Sequence, residues 1–292
     1  MSDKPEVDEH SGVETTGHEW DGIKELNNPL PRWWLILFYA SIVFAIGYWI
    51  FMPSWPALPG FQGYLKGIRH YSDRLAVDKD IAALDAQRAV FSKRLESVPL
   101  AQVERDPQLQ DFALAAGKAA FANNCAPCHG TGAQGAVGYP NLNDDDWLWG
   151  GSLDDIKHTI MVGVRSADHD TRTSQMPSFG KDGLLKPSEI DDLVEYVVHL
   201  SGREANAQAV ARAQPIFEAQ CVICHGADGK GSRKVGAPNL IDAIWLYGGD
   251  RKTIRETIWN SRRGVMPTWG GRLDGMTIDA LAIYVHSLGG GE

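Results

Sequence analysis

Residues 123–130 read NNCAPCHG: two cysteines separated by two residues, with a histidine directly after the second. A Cys-x-x-Cys pair can be a disulfide, half of a zinc site or a redox dithiol, so the neighbouring histidine has to select among these chemistries. Ninety-six residues further on, QCVICHGADG (220–229) repeats the arrangement at Cys221, Cys224 and His225. The two copies together use all four cysteines of the chain.

Other correspondences hold nearly the same offset. Phe121 matches Phe217, PNL at 140–142 matches PNL at 238–240, and Trp147-Leu148 with Gly150-Gly151 match Trp245-Leu246 with Gly248-Gly249. MPSFG (176–180) matches MPTWG (266–270), and Tyr196, Val197 and Leu200 match Tyr284, Val285 and Leu288. The offset drifts in order along the chain, as one fold with small loop differences requires, so residues 107–203 and 204–292 are expected to be two tandem domains. Each repeat runs a helix into the cysteine motif. A glycine-rich loop and a short helix follow (about 153–162 and 251–260), then the Met-Pro loop and a closing helix with apolar residues at helical spacing. Plausible caps of the two closing helices are Ser188 and Thr277. No strand signal of any length stands out, and the fold class expected is all-α.

Duplication of Cys-x-x-Cys-His points to two covalently bound haem c groups. In such a site Cys125 and Cys128, and Cys221 and Cys224, form thioethers with the vinyl groups, and His129 and His225 ligate the irons. A thioredoxin-like dithiol needs a βαβ setting that is missing here, and a shared four-cysteine zinc site leaves both histidines unexplained. The sixth ligands come from the repeat itself. Only Met176 and Met266 occupy equivalent places, each followed by proline, whereas Met161 aligns with Trp259 and Met276 has no methionine counterpart. His/Met ligation fills both axial positions and suits outer-sphere electron transfer. Each His/Met pair is most simply drawn from a single repeat. The remaining histidines, among them His199 and His286 in the closing helices, read as surface residues. Arg165 reads as a propionate counter-charge or a solvated arginine, and Trp147 and Trp245 as haem-edge or core residues.

The composition bounds the rest. At 292 residues the chain has room for about two domains, and a formal net charge of −9 speaks against a nucleic-acid role. WWLILFYASIVFAIGYWIFM, residues 33–52, carries no charge in 20 residues and has Trp33, Trp34, Tyr48 and Trp49 at its ends. At about 1.5 Å per residue it spans a bilayer core, and its aromatic ends suit the headgroup region. Lys4, Lys24 and Arg32 precede it and Lys66, Arg69 and Arg74 follow it, so basic residues alone leave orientation open. Residues 1–17 are polar, acidic and aperiodic and read as a disordered tail. Between the span and the first repeat, residues 53–106 form a linker that begins with three prolines in PSWPALPG. It contains a spacer helix from about Asp80 to Glu96, with Ile81, Leu84, Phe91 and Leu95 on one face.

HEWDGIKELNNPLPRWW (18–34), one span and two such repeats together resemble the FixP/CcoP family, the dihaem subunits of cbb3-type cytochrome c oxidases. RSADHDTRTSQMPSFG (165–180) resembles that family's longer first methionine loop, and the likeness covers nearly everything after residue 17. Both repeats resemble the cytochrome c fold. The likeness implies an electron-transfer subunit with no catalytic centre of its own, in a bacterial inner-membrane complex. Its partners would be a donor cytochrome c, a monohaem cytochrome subunit and a catalytic subunit that reduces oxygen and pumps protons. Haem attachment outside the cytoplasm then implies that residues 1–32 are cytoplasmic and both haem domains periplasmic. The carbonyls of Pro140 and Pro238 would accept from the ligand histidines. Other readings are a stand-alone membrane dihaem cytochrome, the cytochrome subunit of a periplasmic dehydrogenase, and a dihaem peroxidase, which would need one open iron.

Overall fold

A computed structural model describes residues 6–56 and 63–291 of the chain, in two compact units, up to Asp85 and from Ala86 onward. The described residues are mostly helical, with one small sheet.

The first unit begins with a hairpin of strands β1 (Thr15–Trp20) and β2 (Ile23–Leu26), paired antiparallel with Trp20 opposite Ile23. This corrects the expectation of a disordered tail as far as Glu6 to Gly17 is concerned, since Val7 also bridges to Glu14. The cause is the Asp21-Gly22 turn: both residues have positive φ, 52° and 86°, as a two-residue hairpin loop demands. The expected disorder of residues 1–5 concerns a stretch outside the described residues. Helix α1 (Arg32–Phe51) follows, bounded by Pro31 at its N-cap and by Pro53 beyond extended Met52. It buries no residue and is apolar all round, with a mean hydropathy of 2.0, so it is a candidate membrane span.

Helix α2 (Asp73–Ser97) is seven residues longer at its start than the spacer helix expected from the apolar pattern. Its last turns do the packing. Leu95 is fully buried and Phe91 stacks on Phe112 at 5.4 Å, whereas Ile81 and Leu84 are exposed. A short helix α3 (Leu100–Val103) leads to α4 (Pro107–Asn124), whose first turn is capped by Asp106 accepting from the Leu109 amide.

The remaining helices come in the repeated order: α5 (Ala126–His129), α6 (Leu153–Val162) and α7 (Pro187–Leu200), then α8 (Ala207–Gln220), α9 (Val222–His225), α10 (Arg251–Asn260) and α11 (Gly275–His286). Ser152 and Asp250 cap α6 and α10. The closing helices start earlier than expected. Lys186 is the N-cap of α7, its amide donating to Glu189, and Asp274 caps α11 by accepting from the Thr277 amide.

How these helices pack departs from the order of the repeats. Helix α11 lies along α4 and α6, and α7 lies along α8 and α10. Each repeat therefore lends its Met-Pro loop and closing helix to the other, and the second unit contains two lobes with separate cores. The first is built on Leu109, Phe121, Ile156, Ile160, Leu281 and Ile283. The second is built on Phe217, Ile254, Ile258, Ile190, Leu193 and Val198. Tyr284 meets Phe121 with ring centroids 5.4 Å apart, and Tyr196 meets Phe217 at 4.8 Å, so the duplicated aromatics pack between the repeats.

Candidate haem-binding centres

Each Cys-x-x-Cys-His motif sits at the end of a helix that aims it into a lobe. Cys125 closes α4 and Cys221 closes α8, their amides donating to Phe121 and Phe217. One helical turn, α5 or α9, then carries His129 or His225 inward before a glycine with φ near +80° ends it, Gly130 at 83° and Gly226 at 77°. A side chain at either glycine would oppose that left-handed backbone.

Both histidines are held alike. Nδ1 of His129 lies 2.9 Å from the Pro140 carbonyl, and Nδ1 of His225 lies 3.1 Å from the Pro238 carbonyl. A carbonyl oxygen only accepts, so Nδ1 carries the proton and Nε2 presents its lone pair, the arrangement a metal-bound histidine needs. Burial holds both imidazoles below the usual histidine range, against the proline carbonyl, which favours the charged form. They are neutral and competent as ligands at pH 7. Burial pushes the thiols of Cys125 and Cys221 up to about 11, so each sits as a protonated thiol at an apolar wall.

Met176 shares a cavity with His225, Cys221 and Cys224, walled by Phe179, Val197 and Trp245. Met266 packs on the first lobe's core, together with Cys125. The structure thus places Met176 at the second repeat's cysteine motif and Met266 on the first lobe's core, whereas the sequence expectation draws each His/Met pair from one repeat. Two features seat the loops. Val164 and Met266 exchange backbone hydrogen bonds of 3.0 Å in both directions, and the Ser261 hydroxyl donates to the Met176 carbonyl. A Cβ on Gly163 would lie 2.4 Å from the Met266 carbonyl oxygen, so this approach needs glycine.

Several residues of the arrangement were not singled out from sequence. Trp149 reaches across to Gly236, where a Cβ would lie 2.4 Å from its ring, and Tyr247, its equivalent in the second repeat, reaches back to Gly138. Arg172 lies over Trp149 and Arg262 over Tyr247, at 5.6 and 4.8 Å from the ring centroids. The two repeats are therefore related by an approximate twofold. The signal was present in WLWGG against WLYGG, whose differing middle residue concealed it.

The other readings divide. Trp147 donates through Nε1 to the Gly290 carbonyl, and Trp245 lines the cavity with Arg203 stacked over it. Met161 is exposed and Met276 packs on the first core, and neither lines the cavity around the second cysteine motif. His286 pairs with Glu104 at 2.7 Å in a partly buried contact, a more structural role than the surface one expected.

A cavity with apolar walls, two thiols and a neutral histidine whose Nε2 is free, faced by a thioether, fits a covalently attached haem and offers little to a hydrated metal ion. Comparison with known proteins agrees. Residues 12–59 match the model of the N-terminal domain of cytochrome oxidase-cbb3, FixP. Residues 114–201 match cytochrome c, and residues 208–285 match cytochrome c oxidase, cbb3-type, subunit III. The chain is 55% identical to the cbb3-type cytochrome c oxidase subunit FixP of Bradyrhizobium sp. (strain ORS 278), over 100% of both chains. It is 50% identical to the CcoP subunit of Cereibacter sphaeroides over 100% of both chains, and 48% identical to that of Azospirillum sp. (strain B510) over 98% of both.

Proposed function

Because the chain belongs to the FixP/CcoP subunits of cbb3-type cytochrome c oxidases, we propose that it takes electrons singly from a donor cytochrome c and hands them towards the monohaem and catalytic subunits of its oxidase. It is a dihaem c-type cytochrome in electron transport, and the other oxidase subunits are its partners. Haem c supplies a one-electron iron couple.

What the chain's own residues do follows from the interleaved lobes. Cys125, Cys128, His129 and Met266 would hold one haem c. Cys221, Cys224, His225 and Met176 would hold the other. The single observation that carries this reading is the cavity in which His225, its Nδ1–H given to Pro238, shares walls with Met176 of the other repeat. A thioether and an imidazole at each site would leave a bound iron without an open position, which favours outer-sphere transfer over peroxide turnover. The apolar walls exclude water, so little reorganisation accompanies each electron.

The donor is assigned by charge. Residues 107–164 with 266–292, which form the first lobe, carry nine Asp/Glu and three Lys/Arg. Residues 173–261, the second lobe, carry eleven and ten. A basic cytochrome c is steered to the first lobe. The apolar helix α1 is a single inner-membrane anchor with residues 1–32 in the cytoplasm and both lobes in the periplasm, where haem is attached. Purification of the intact oxidase should yield this chain with two haems per polypeptide, reducible by cytochrome c. Protease added to spheroplasts should remove both lobes, and protection of either would reverse the topology.

A further inference from the structure

Helix α1 ends on carbonyls that have no partner within the helix, and a later stretch of chain returns to satisfy them. The Ile68 amide donates 2.9 Å to the Ile50 carbonyl, and the Arg69 amide donates 3.1 Å to that of Phe51. Beside a bilayer an unpaired carbonyl is costly, so the returning chain completes the end of the span. Gly67 makes the approach possible: its φ is 66°, and a Cβ there would lie 2.7 Å from the Phe51 carbonyl oxygen. The Ser54 amide donates 3.1 Å to the Leu65 carbonyl and the Leu65 amide 2.9 Å to that of Trp55, whose ring meets Trp49 edge to face at 5.1 Å. Residues 64–69 are therefore fixed against the last turn of α1.

Trp55, Tyr64, Leu65 and Ile68 are all exposed, Ile68 at 66%. They extend the uncovered surface of α1, a helix that buries no residue. Lys66 and Arg69 stand among them, exposed, and neither forms an ion pair or a side-chain hydrogen bond among the described residues. No Asp or Glu occurs from residue 26 to residue 72. The negative end of the α1 dipole, whose last turn holds no basic residue, offsets only about half a charge. On the other side of the span, by contrast, Lys24 pairs with Glu6 at 2.5 Å. Aromatic and aliphatic side chains interleaved with unpaired cations, at the level where an apolar span ends, match a headgroup layer, with phosphate oxygens outside and acyl chains beneath.

We propose that Trp55 and residues 64–69 form a binding site for an anionic phospholipid, with Lys66 and Arg69 on the headgroup phosphate and Tyr64, Leu65 and Ile68 against the acyl chains. The inference rests on α1 as a membrane anchor, the reading given under Proposed function. Lipid fits better than a protein partner because the patch continues the surface that α1 turns to the bilayer and carries charge of one sign. Bound in this way, the headgroup holds the far end of the span at a set depth.

The test uses the full dihaem chain in detergent. Native mass spectrometry should show phosphatidylglycerol retained in preference to phosphatidylcholine. Lys66→Gln and Arg69→Gln should each weaken that preference about fivefold at low salt, and the double variant more, with the effect shrinking as salt screens it. Lys66→Arg keeps the charge and should keep the preference, whereas Ile68→Ser should lower retention of both lipids alike. Lys24→Gln, which removes a cation already held by Glu6, should leave the preference unchanged. An unaltered haem spectrum shows that each variant is folded. A parent chain without lipid preference, or an undiminished preference in the double glutamine variant, would overturn the proposal. Loss of the other oxidase subunits from the purified complex of that variant, with its lipid preference intact, would also overturn it and give the patch to a protein partner. Release of the parent chain from membranes by alkaline carbonate would instead remove the anchor reading, and this proposal with it.

Discussion

Gly117 on α4 and Ala280 on α11 lie in different repeats, yet a Cβ built on Gly117 would stand 2.2 Å from the Ala280 carbonyl oxygen. The absence of a side chain at one position is what lets the last helix of the chain lie against the helix that leads into the first cysteine motif. Gly117→Val forces these backbones apart. The expected loss is about 1–3 kcal/mol, the usual cost of overpacking a core, with a change in the spectrum of the haem attached at Cys125. Thermal unfolding of the dihaem chain checks it, and a variant as stable as the parent would remove this contact from the account of the fold.

The crossed axial pairs predict which haem each methionine controls. With Cys221 and Cys224 replaced by alanine, one haem remains, in the first lobe. Met266→His should then lower its potential, since the stronger donor favours ferric iron, while Met176→His should leave it nearly unchanged. The opposite response would restore pairing within each repeat.

Asp146 lies in a polar cleft between the lobes with Asp145, Lys230, Arg233 and Asp242. Burial, with Asp242 and Asp144 nearby, pushes its carboxyl up to about 6, against the opposing Arg233. A folded-state value above the unfolded one means that the folded chain holds the proton longer. Asp146 therefore contributes nothing below about pH 4, and it lowers stability progressively from about pH 4 to 6 and fully above that. Asp146→Asn should be more stable than the parent at pH 7.5 by about 1 kcal/mol, a figure kept small because the side chain is half solvated. The two should converge at pH 4. Denaturant titrations at both pH values decide it, and an equal difference at both would assign the effect to something other than ionisation.

Charge reversal on the first lobe tests the donor surface. Asp111, Asp145 and Asp154 are exposed there. Replacing all three by lysine should slow reduction by a basic cytochrome c at least tenfold at low salt, and flatten the dependence on ionic strength. Stopped-flow rates between 10 and 200 mM salt measure both, and an unchanged salt slope would place the donor elsewhere.

The amino-acid sequence by itself determined the chemistry. Two Cys-x-x-Cys-His motifs, two Met-Pro loops and one apolar span are local patterns, legible because haem attachment and membrane insertion each depend on short contiguous stretches. The short helices α6 and α10 were legible to the residue for the same reason, with Ser152 and Asp250 as strong caps. The Asp21-Gly22 hairpin is written just as plainly, next to a polar stretch, 1–17, that reads as disordered. Only the tertiary structure decided which closing helix completes which lobe. The repeats are alike, so α7 and α11 carry the same apolar face, and either could cover either core as far as periodicity tells. What separates the two outcomes is distant in sequence: the six-residue connection 201–206 that turns α7 back along α8, and the bare backbone at Gly117 and Gly163 that admits Ala280 and Met266. Close approach between segments more than 100 residues apart leaves no periodic trace in either of them, so the crossing of the methionines appears only once the chain has folded.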